Sequence, residues 1–102
     1  IKFDFIIDDG AHWPEANRLT FENTIEFLKP DGTYFVEDVW PMHLMTPIQL
    51  LHSYLVKRPE RYDMDKHVQM MDVFKKYDMT SYDRREETRC GDTYIIAMKH
   101  KK

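Results

Sequence analysis

Two hydrophobic runs near the start of the chain each end in acidic residues. Residues 3–8 are rich in aromatic and β-branched side chains, and residues 33–38 repeat this pattern. Between them, residues 14–28 have the apolar spacing of a helix, and residues 29–32 form a turn that contains proline and glycine. The pattern predicts a β-α-β unit whose two strands are parallel and adjacent, with a right-handed crossover.

The composition of the first strand and helix also predicts how each is buried. The apolar run before Asp8 predicts a strand buried on both faces, with Asp4 near its start. Pro14 suits the first turn of the helix, because its missing N–H needs no partner there. The helix presents a broad apolar face, which consists of Ala16, Leu19, Phe21, Ile25 and Leu28.

Two further helices are predicted in the second half of the chain. Thr46 and Pro47 have the residue types of a helix start, and an apolar stripe of Ile48, Leu51 and Leu55 follows them. Residues 65–77 predict another helix, in which apolar residues recur every third position and His67 lies on the surface. That second stripe consists of Val68, Met71 and Phe74.

The last part of the chain predicts an antiparallel hairpin. Its strands are expected at residues 79–85 and 92–100, with residues 86–91 as the loop. Residues 93–98 form the clearest strand in this half, and we expect them to run antiparallel beside the strand at residues 33–38 rather than beside the first strand.

Charged side chains are expected to gather at one edge of this sheet. In open α/β sheets, ligands bind at the carboxyl ends of the strands. The two strand ends carry Asp8, Asp9, His12, Glu37 and Asp38. A simpler interpretation is that the Asp-Asp-Gly sequence after the first strand only forms a turn.

An apolar loop, residues 39–45, follows the carboxyl end of the second strand. It contains Trp40 and His43, two side chains suited to stacking or packing. Two interpretations remain open, because the loop can either cover a substrate pocket or simply pack over the sheet.

Residues 3–38 also carry a family resemblance. The sequences Phe-Asp-Phe-Ile-Ile-Asp-Asp-Gly-Ala-His and Leu-Lys-Pro-Asp-Gly-Thr-Tyr-Phe-Val-Glu-Asp resemble class I S-adenosylmethionine-dependent methyltransferases. In particular, they resemble the metal-dependent O-methyltransferases of macrolide sugars and the cephalosporin-hydroxylase-like group. Those proteins carry Asp-Asp-Gly-Ser-His after the fourth strand and Ile-Glu-Asp after the fifth, and Ala11 stands here where Ser is usual. Beyond Val39 only the layout is similar.

The resemblance implies a fold and a chemistry. The fold would be the C-terminal half of a Rossmann-like methyltransferase sheet, with residues 1–102 as a single partial domain. The reaction would be O-methylation of a small molecule or sugar, with His12 as general base. Mg²⁺ or a similar divalent cation would lower the pKa of the hydroxyl and would be held by carboxylates. The residues at the ligand positions are Asp9, Glu37 and Asp38, whereas Asp8 is expected to be structural or to face the cofactor side.

The composition limits these expectations. The chain has 102 residues and a net charge of -3, so it does not suggest a nucleic-acid-binding surface. Cys90 is the only cysteine, which excludes a disulfide within the chain and favours a reducing, cytoplasmic location. The sequence contains no signal peptide pattern and no apolar run of membrane-spanning length.

The cofactor site is the main missing part. The three glycines do not cluster, so no Gly-rich turn exists to receive S-adenosylmethionine, whose site would lie mostly outside this chain. We therefore expect weak cofactor binding, and we interpret the chain as a fragment. An uncovered edge of the first strand would favour a homo-oligomer. The alternative function is a non-catalytic methyltransferase-like fragment or interaction domain.

Overall fold

The structure, a computed structural model, describes residues 1–10, 13–56, 63–88 and 94–101, with side chains at all of these except residues 52–56 and 88. His12 and Cys90 therefore lie outside the described residues. In chain order the elements are β1 (Phe3–Asp8), α1 (Pro14–Thr24), a 3-10 turn (Ile25–Phe27), β2 (Leu28–Val39), a second 3-10 turn (Met42–Leu44), α2 (Pro47–Val56), α3 (Met64–Phe74), β3 (Asp78–Asp83), α4 (Arg85–Thr88) and β4 (Tyr94–Lys99).

The four strands form one mixed sheet in the order β1-β2-β4-β3. β1 and β2 are parallel, whereas β4 runs antiparallel to both β2 and β3. This arrangement confirms the predicted pairing of the two early strands and the position of the last strand beside β2. The architecture is α/β and compatible with part of a Rossmann-like fold.

The boundary between α1 and β2 lies earlier in the chain than predicted. α1 ends at Thr24, and β2 already begins at Leu28, a residue that the helical spacing had assigned to the helix. Leu28 is fully buried and pairs with Phe3. The next β1–β2 pair is Phe5 with Thr33, so the chain between Leu28 and Thr33 bulges out of the ladder where the turn was predicted.

Gly32 lies in this bulge and has little space around it. A Cβ atom at this position would lie 2.7 Å from the backbone oxygen of Asp4 and 2.8 Å from Cδ1 of Leu28. Only glycine therefore allows β1 and β2 to approach each other this closely.

An aromatic cluster around Phe21 joins the helices to the sheet. The fully buried ring of Phe21 meets three other rings edge-to-face, with centroid distances of 4.8 Å to Tyr34, 5.0 Å to Phe74 and 5.0 Å to Tyr77. Since Tyr34 lies in β2 and Phe74 in α3, this cluster places α1 and α3 on the same face of the sheet. The other buried side chains of this core are Leu28, Val36, Val39, Met70, Met71, Tyr94, Ile96 and Met98.

The opposite face of β1 remains open, so the prediction that this strand is buried on both faces is wrong. Phe5 is 66% exposed, and its neighbours on the same face, Phe3 and Ile7, are exposed to a similar degree. The physical reason is that α1 and α3 both pack on the face of Tyr34, while the odd-numbered residues of β1 point the other way.

The predicted apolar faces of α1 and α2 are only partly correct. Leu19 is 44% exposed, whereas Pro14 and Asn17 are buried on the same side as Phe21. The start of α2 is as predicted, because Thr46 Oγ1 accepts a hydrogen bond from the backbone N–H of Gln49 at 3.2 Å. Of the predicted α2 stripe, Ile48 and Leu51 are both exposed, and the side chain of Leu55 lies outside the described residues.

The inward face of α3 also differs from the prediction. Asp63 caps this helix by accepting a hydrogen bond from the backbone N–H of Lys66. The buried residues are His67, Met70, Met71 and Phe74. This set follows the i, i+3, i+4, i+7 spacing of a helix face, which leaves Val68 exposed. The prediction that His67 lies on the surface is therefore wrong.

The terminal hairpin is present, with a small change in its connection. β3 and β4 pair along their whole length, from Asp78 opposite Lys99 to Asp83 opposite Tyr94. The predicted loop begins with the short helix α4, whose start is held by the Asp83 carboxylate, which accepts a hydrogen bond from the backbone N–H of Arg85. Among the described residues, no helix combines the length and apolar character that crossing a membrane requires.

The aromatic cluster makes a prediction about stability. Phe21→Ala should lower the free energy of unfolding by about 3–5 kcal/mol, because it leaves a cavity between three rings. Leu19→Ala, on the exposed side of the same helix, should change it by less than about 0.5 kcal/mol. Urea unfolding followed by circular dichroism measures both values, and equal losses in the two variants would contradict this packing.

Candidate functional site

The acidic ends of β1 and β2 are neighbours, as predicted. Asp8 pairs with Val36 in the parallel ladder, so Asp9 and Glu37 are the next residue on each strand. Adjacent strands are about 4.8 Å apart, which brings these two backbone positions close together at one edge of the sheet.

Asp8 has a structural role at this edge. It is buried, and its Oδ1 accepts a hydrogen bond from the backbone N–H of Gly10 at 3.0 Å. Its Oδ2 accepts a second one from Nδ2 of the buried Asn17 at 2.9 Å. Both carboxylate oxygens thus tie the end of β1 to α1, which agrees with the structural role expected for Asp8 and with a turn at this position.

Glu37 and Asp38 lie in a bulge of β2. On the β4 side, Val36 pairs with Ile96 and Val39 with Tyr94, so β2 advances by one residue more than its partner. Asp38 has a φ of 54°, in the left-handed region that aspartate enters more readily than most residues. Bulges of this kind change the direction of side chains and occur often beside active sites.

The described carboxylates do not form a metal centre in this arrangement. Asp9 is exposed, and Glu37 and Asp38 are half-buried. Among residues 1–10, 13–56, 63–88 and 94–101, no group of three or more His, Cys, Asp or Glu side chains is close enough to hold a metal ion. In this arrangement Asp9, Glu37 and Asp38 therefore do not fit Mg²⁺.

Two histidines form a second polar feature near the end of β2. Nδ1 of His43, in the turn after β2, lies 2.8 Å from Nε2 of His67 in α3. Their rings stack with centroids 5.1 Å apart, and the edge of Tyr94 packs against His43 at 5.7 Å. His67 is only 1% exposed, whereas His43 is exposed.

Burial and nearby positive charge keep this pair neutral. Burial, followed by the proximity of His43 and Lys75, lowers the pKa of His67 to about 4. Burial, Lys75 and Arg85 also lower the pKa of His43. In the hydrogen bond between the rings one facing nitrogen donates and the other accepts, so a positive charge on both rings at once would place two N–H groups against each other.

A cavity of about 270 Å³ lies against both histidines. Its walls include Met71 from α3, Met79 from β3 and Tyr94 from β4. His43 belongs to the loop at residues 39–45, so this loop borders a cavity, while Met42 of the same loop is buried, and both interpretations of the loop stay open. Trp40 is half-buried in the same loop.

Comparison with known proteins supports a relationship to methyltransferases over part of the chain. A segment of 38 residues is 42% identical to demethylmacrocin O-methyltransferase from Streptomyces fradiae. The match covers 37% of this chain and 10% of the length of that enzyme. No protein-family model matches the chain, and no solved structure was found to match it.

The histidine pair was missed at the level of sequence, although a signal for it was present. His67, Met70, Met71 and Phe74 follow the spacing of a buried helix face, and that spacing already places His67 inside. Its pairing with His43 could not be read from the sequence, because the two residues are 24 positions apart and meet only when α3 packs on the sheet.

The low pKa of His67 predicts a loss of stability in acid. The unfolded chain binds a proton at His67 near pH 6.5, whereas the folded protein does so only near pH 4. The neutral ring therefore contributes fully to stability above about pH 6.5. Lowering the pH from about 6.5 to about 4 should reduce the free energy of unfolding by up to about 3 kcal/mol. The charged and titratable groups that act on His67 are His43 and Lys75, Asp72 and Tyr94 line the same cavity, and Arg85 acts on His43.

Unfolding free energies measured between pH 7 and pH 4 test this expectation. His67→Phe should flatten the pH dependence relative to the wild-type protein, because the titrating ring is gone. Gln69→Ala, at an exposed position of the same helix, should retain it. An unchanged pH dependence in His67→Phe would show that this histidine does not drive the acid sensitivity.

Proposed function

We propose that this chain is part of an S-adenosylmethionine-dependent O-methyltransferase acting on a hydroxyl of a small molecule or sugar. The observation that carries the proposal is the segment with 42% identity to an O-methyltransferase. Further support comes from the adjacent parallel strands β1 and β2, whose acidic ends lie at the sheet edge where ligands of α/β proteins bind.

In the proposed reaction, S-adenosylmethionine supplies the methyl group. The bond between carbon and sulfur breaks as a bond between carbon and the acceptor oxygen forms, and the hydroxyl proton must leave. We propose His12 as the general base that accepts this proton, on the basis of its position three residues after Asp9 in the sequence. The products are a methyl ether and S-adenosylhomocysteine.

The contribution of this chain would be to the acceptor side of the site. Its glycines are Gly10, Gly32 and Gly91, and they do not form the clustered turn that cradles such a cofactor. S-adenosylhomocysteine should therefore bind the 102-residue chain weakly in isothermal titration.

Metal assistance forms a separate part of the proposal. Asp9, Glu37 and Asp38 would hold Mg²⁺ or a similar ion, which requires that their side chains draw together from the described arrangement. Electron paramagnetic resonance of Mn²⁺ tests this directly. Asp9→Asn should weaken binding strongly, whereas Asp31→Asn in the β1–β2 bulge should not. Equal binding in both variants would remove the metal from the proposal without affecting methyl transfer.

The activity is tested on the protein encoded by the complete open reading frame that contains this chain. We expect transfer of labelled methyl groups from S-adenosylmethionine to a hydroxylated sugar or small molecule. His12→Ala should lower the rate by about 10²- to 10⁴-fold, the usual contribution of a general base. No transfer to any acceptor, or an unchanged rate in His12→Ala, would count against the proposed function or the proposed base respectively.

A second candidate, an interaction domain, is favoured by the open face of β1. This strand lies at the edge of the sheet and exposes Phe3, Phe5 and Ile7. We propose that it pairs antiparallel with β1 of a second copy. Centring the pair on Phe5 sets Phe3 opposite Ile7 and continues the apolar row across both chains.

Sedimentation velocity of the 102-residue chain tests this homo-oligomer. The wild-type chain should sediment as a dimer, and Phe5→Lys should shift it to a monomer, because two like charges would then oppose each other. Tyr82→Lys, an exposed aromatic position on the other edge strand β3, should leave the dimer intact. A monomeric wild-type chain would exclude this mode of association.

A further inference from the structure

The cavity beside the histidine pair has walls that are mainly apolar and aromatic. Met71 and Val68 of α3 form one side, Met79 of β3 forms another, and the ring of Tyr94 closes the end near His43. Methionine sulfur atoms make favourable contacts with aromatic rings. These walls therefore suit a flat aromatic ligand more than a strongly hydrated one.

His67 adds a specific polar requirement to this apolar space. Its Nδ1 atom is buried and has no hydrogen-bond partner among the residues that the structure describes. A buried polar atom without a partner costs about 1–3 kcal/mol. A hydroxyl group that reaches Nδ1 of His67 itself can recover part of this cost.

The hydrogen bond between the two rings determines which group fits best. One proton lies between Nδ1 of His43 and Nε2 of His67, so in the neutral pair one outer nitrogen carries a hydrogen and the other a lone pair. A hydroxyl group both donates and accepts, and it can therefore match either tautomer. A carboxylate only accepts and an ammonium group only donates, so each matches one tautomer alone.

The surrounding charges also favour an uncharged ligand. Lys75 at the cavity disfavours cations, while Asp72 on the same helix disfavours anions. Burial of any full charge against Met71 and Met79 would add a desolvation cost. The lowered pKa values of both histidines agree with a cavity that resists charge.

The size of the cavity suits a small ligand of one ring. Its volume of about 270 Å³ lies just below the range of roughly 300–1,000 Å³ that drug-sized molecules occupy. We propose that this cavity binds a small uncharged phenol, whose hydroxyl bonds to the His43–His67 pair and whose ring packs against Met71, Met79 and Tyr94. This inference does not depend on methyl transfer.

The first experiment titrates the 102-residue chain with phenol and, as a matched control, with toluene. Proton–carbon correlation spectra report the histidine rings and the methionine methyl groups. We expect saturable shifts at His67, Met71 and Met79 with a dissociation constant on the order of 1 mM, which is reasonable for a ligand of this size. Toluene, which lacks the hydroxyl, should bind roughly tenfold more weakly.

Two variants separate the cavity from the rest of the surface. His67→Phe retains a ring but loses both nitrogens, so it should bind phenol and toluene equally. Val68→Trp leaves both histidines in place and fills the cavity from a half-exposed position of α3, so it should abolish the shifts at Met71 and Met79. Gln69→Trp, the same substitution one residue along and outside the cavity, should bind phenol like the wild-type chain.

Three results would overturn the proposal. Toluene binding as tightly as phenol would mean that the histidine pair does not recognise a hydroxyl. Unchanged phenol binding in Val68→Trp would place the ligand elsewhere on the surface. An absence of saturable shifts with phenol would mean that the cavity is not a binding site, and this result needs no variant to fold.

Discussion

Edge-to-face packing around Phe21 is the interaction on which the rest of this structure depends. It holds α1 against Tyr34 of β2 and also brings Phe74 of α3 onto the same face of the sheet. Once Phe74 packs there, the helical repeat places Met70 and His67, one and two turns earlier, on the same buried side of α3. His67 is thereby buried beside β4, and its meeting with His43 is a consequence of aromatic packing.

The acidic edge of the sheet and the histidine pair differ in the charge that they carry near pH 7. At the ends of β1 and β2, Asp9 is exposed and Glu37 and Asp38 are half-buried, so their carboxylates keep contact with solvent. In the histidine pair His67 is buried, and burial lowers its pKa and keeps it neutral near pH 7. The acidic edge is thus suited to polar or cationic ligands, whereas the cavity is suited to an uncharged one.

The sheet is covered on one face only within the described residues, and this asymmetry shapes the functional alternatives. Helices on both faces are the usual arrangement around parallel strands. Here the exposed row that includes Phe5 lies on the edge strand β1, whose backbone pairs with a neighbouring strand on one side only. Association of β1 with another chain would bury the exposed apolar row and form hydrogen bonds to the backbone N–H and C=O groups of this edge.

Much of the topology could be predicted because it depends on local patterns. The helical spacing and turn between two hydrophobic runs indicated the parallel pair, Thr46 indicated the start of α2, and residues 93–98 indicated the last strand. The structural role of Asp8, which was expected beside the positions matched to the family, agrees with its hydrogen bonds to Gly10 and Asn17. The metal ligands and the base proposed from the family resemblance remain predictions.

By itself, the sequence determined the strand order of the first unit, the helix starts and the acidic edge, because each follows from residues close together in the chain. Only the tertiary structure decided which sides of these elements are buried. It left Phe5 exposed and placed Leu28 in β2, because both outcomes depend on which distant elements pack against these residues. The bulge at Asp38 and the histidine pair have the same origin, since both arise where separate elements meet.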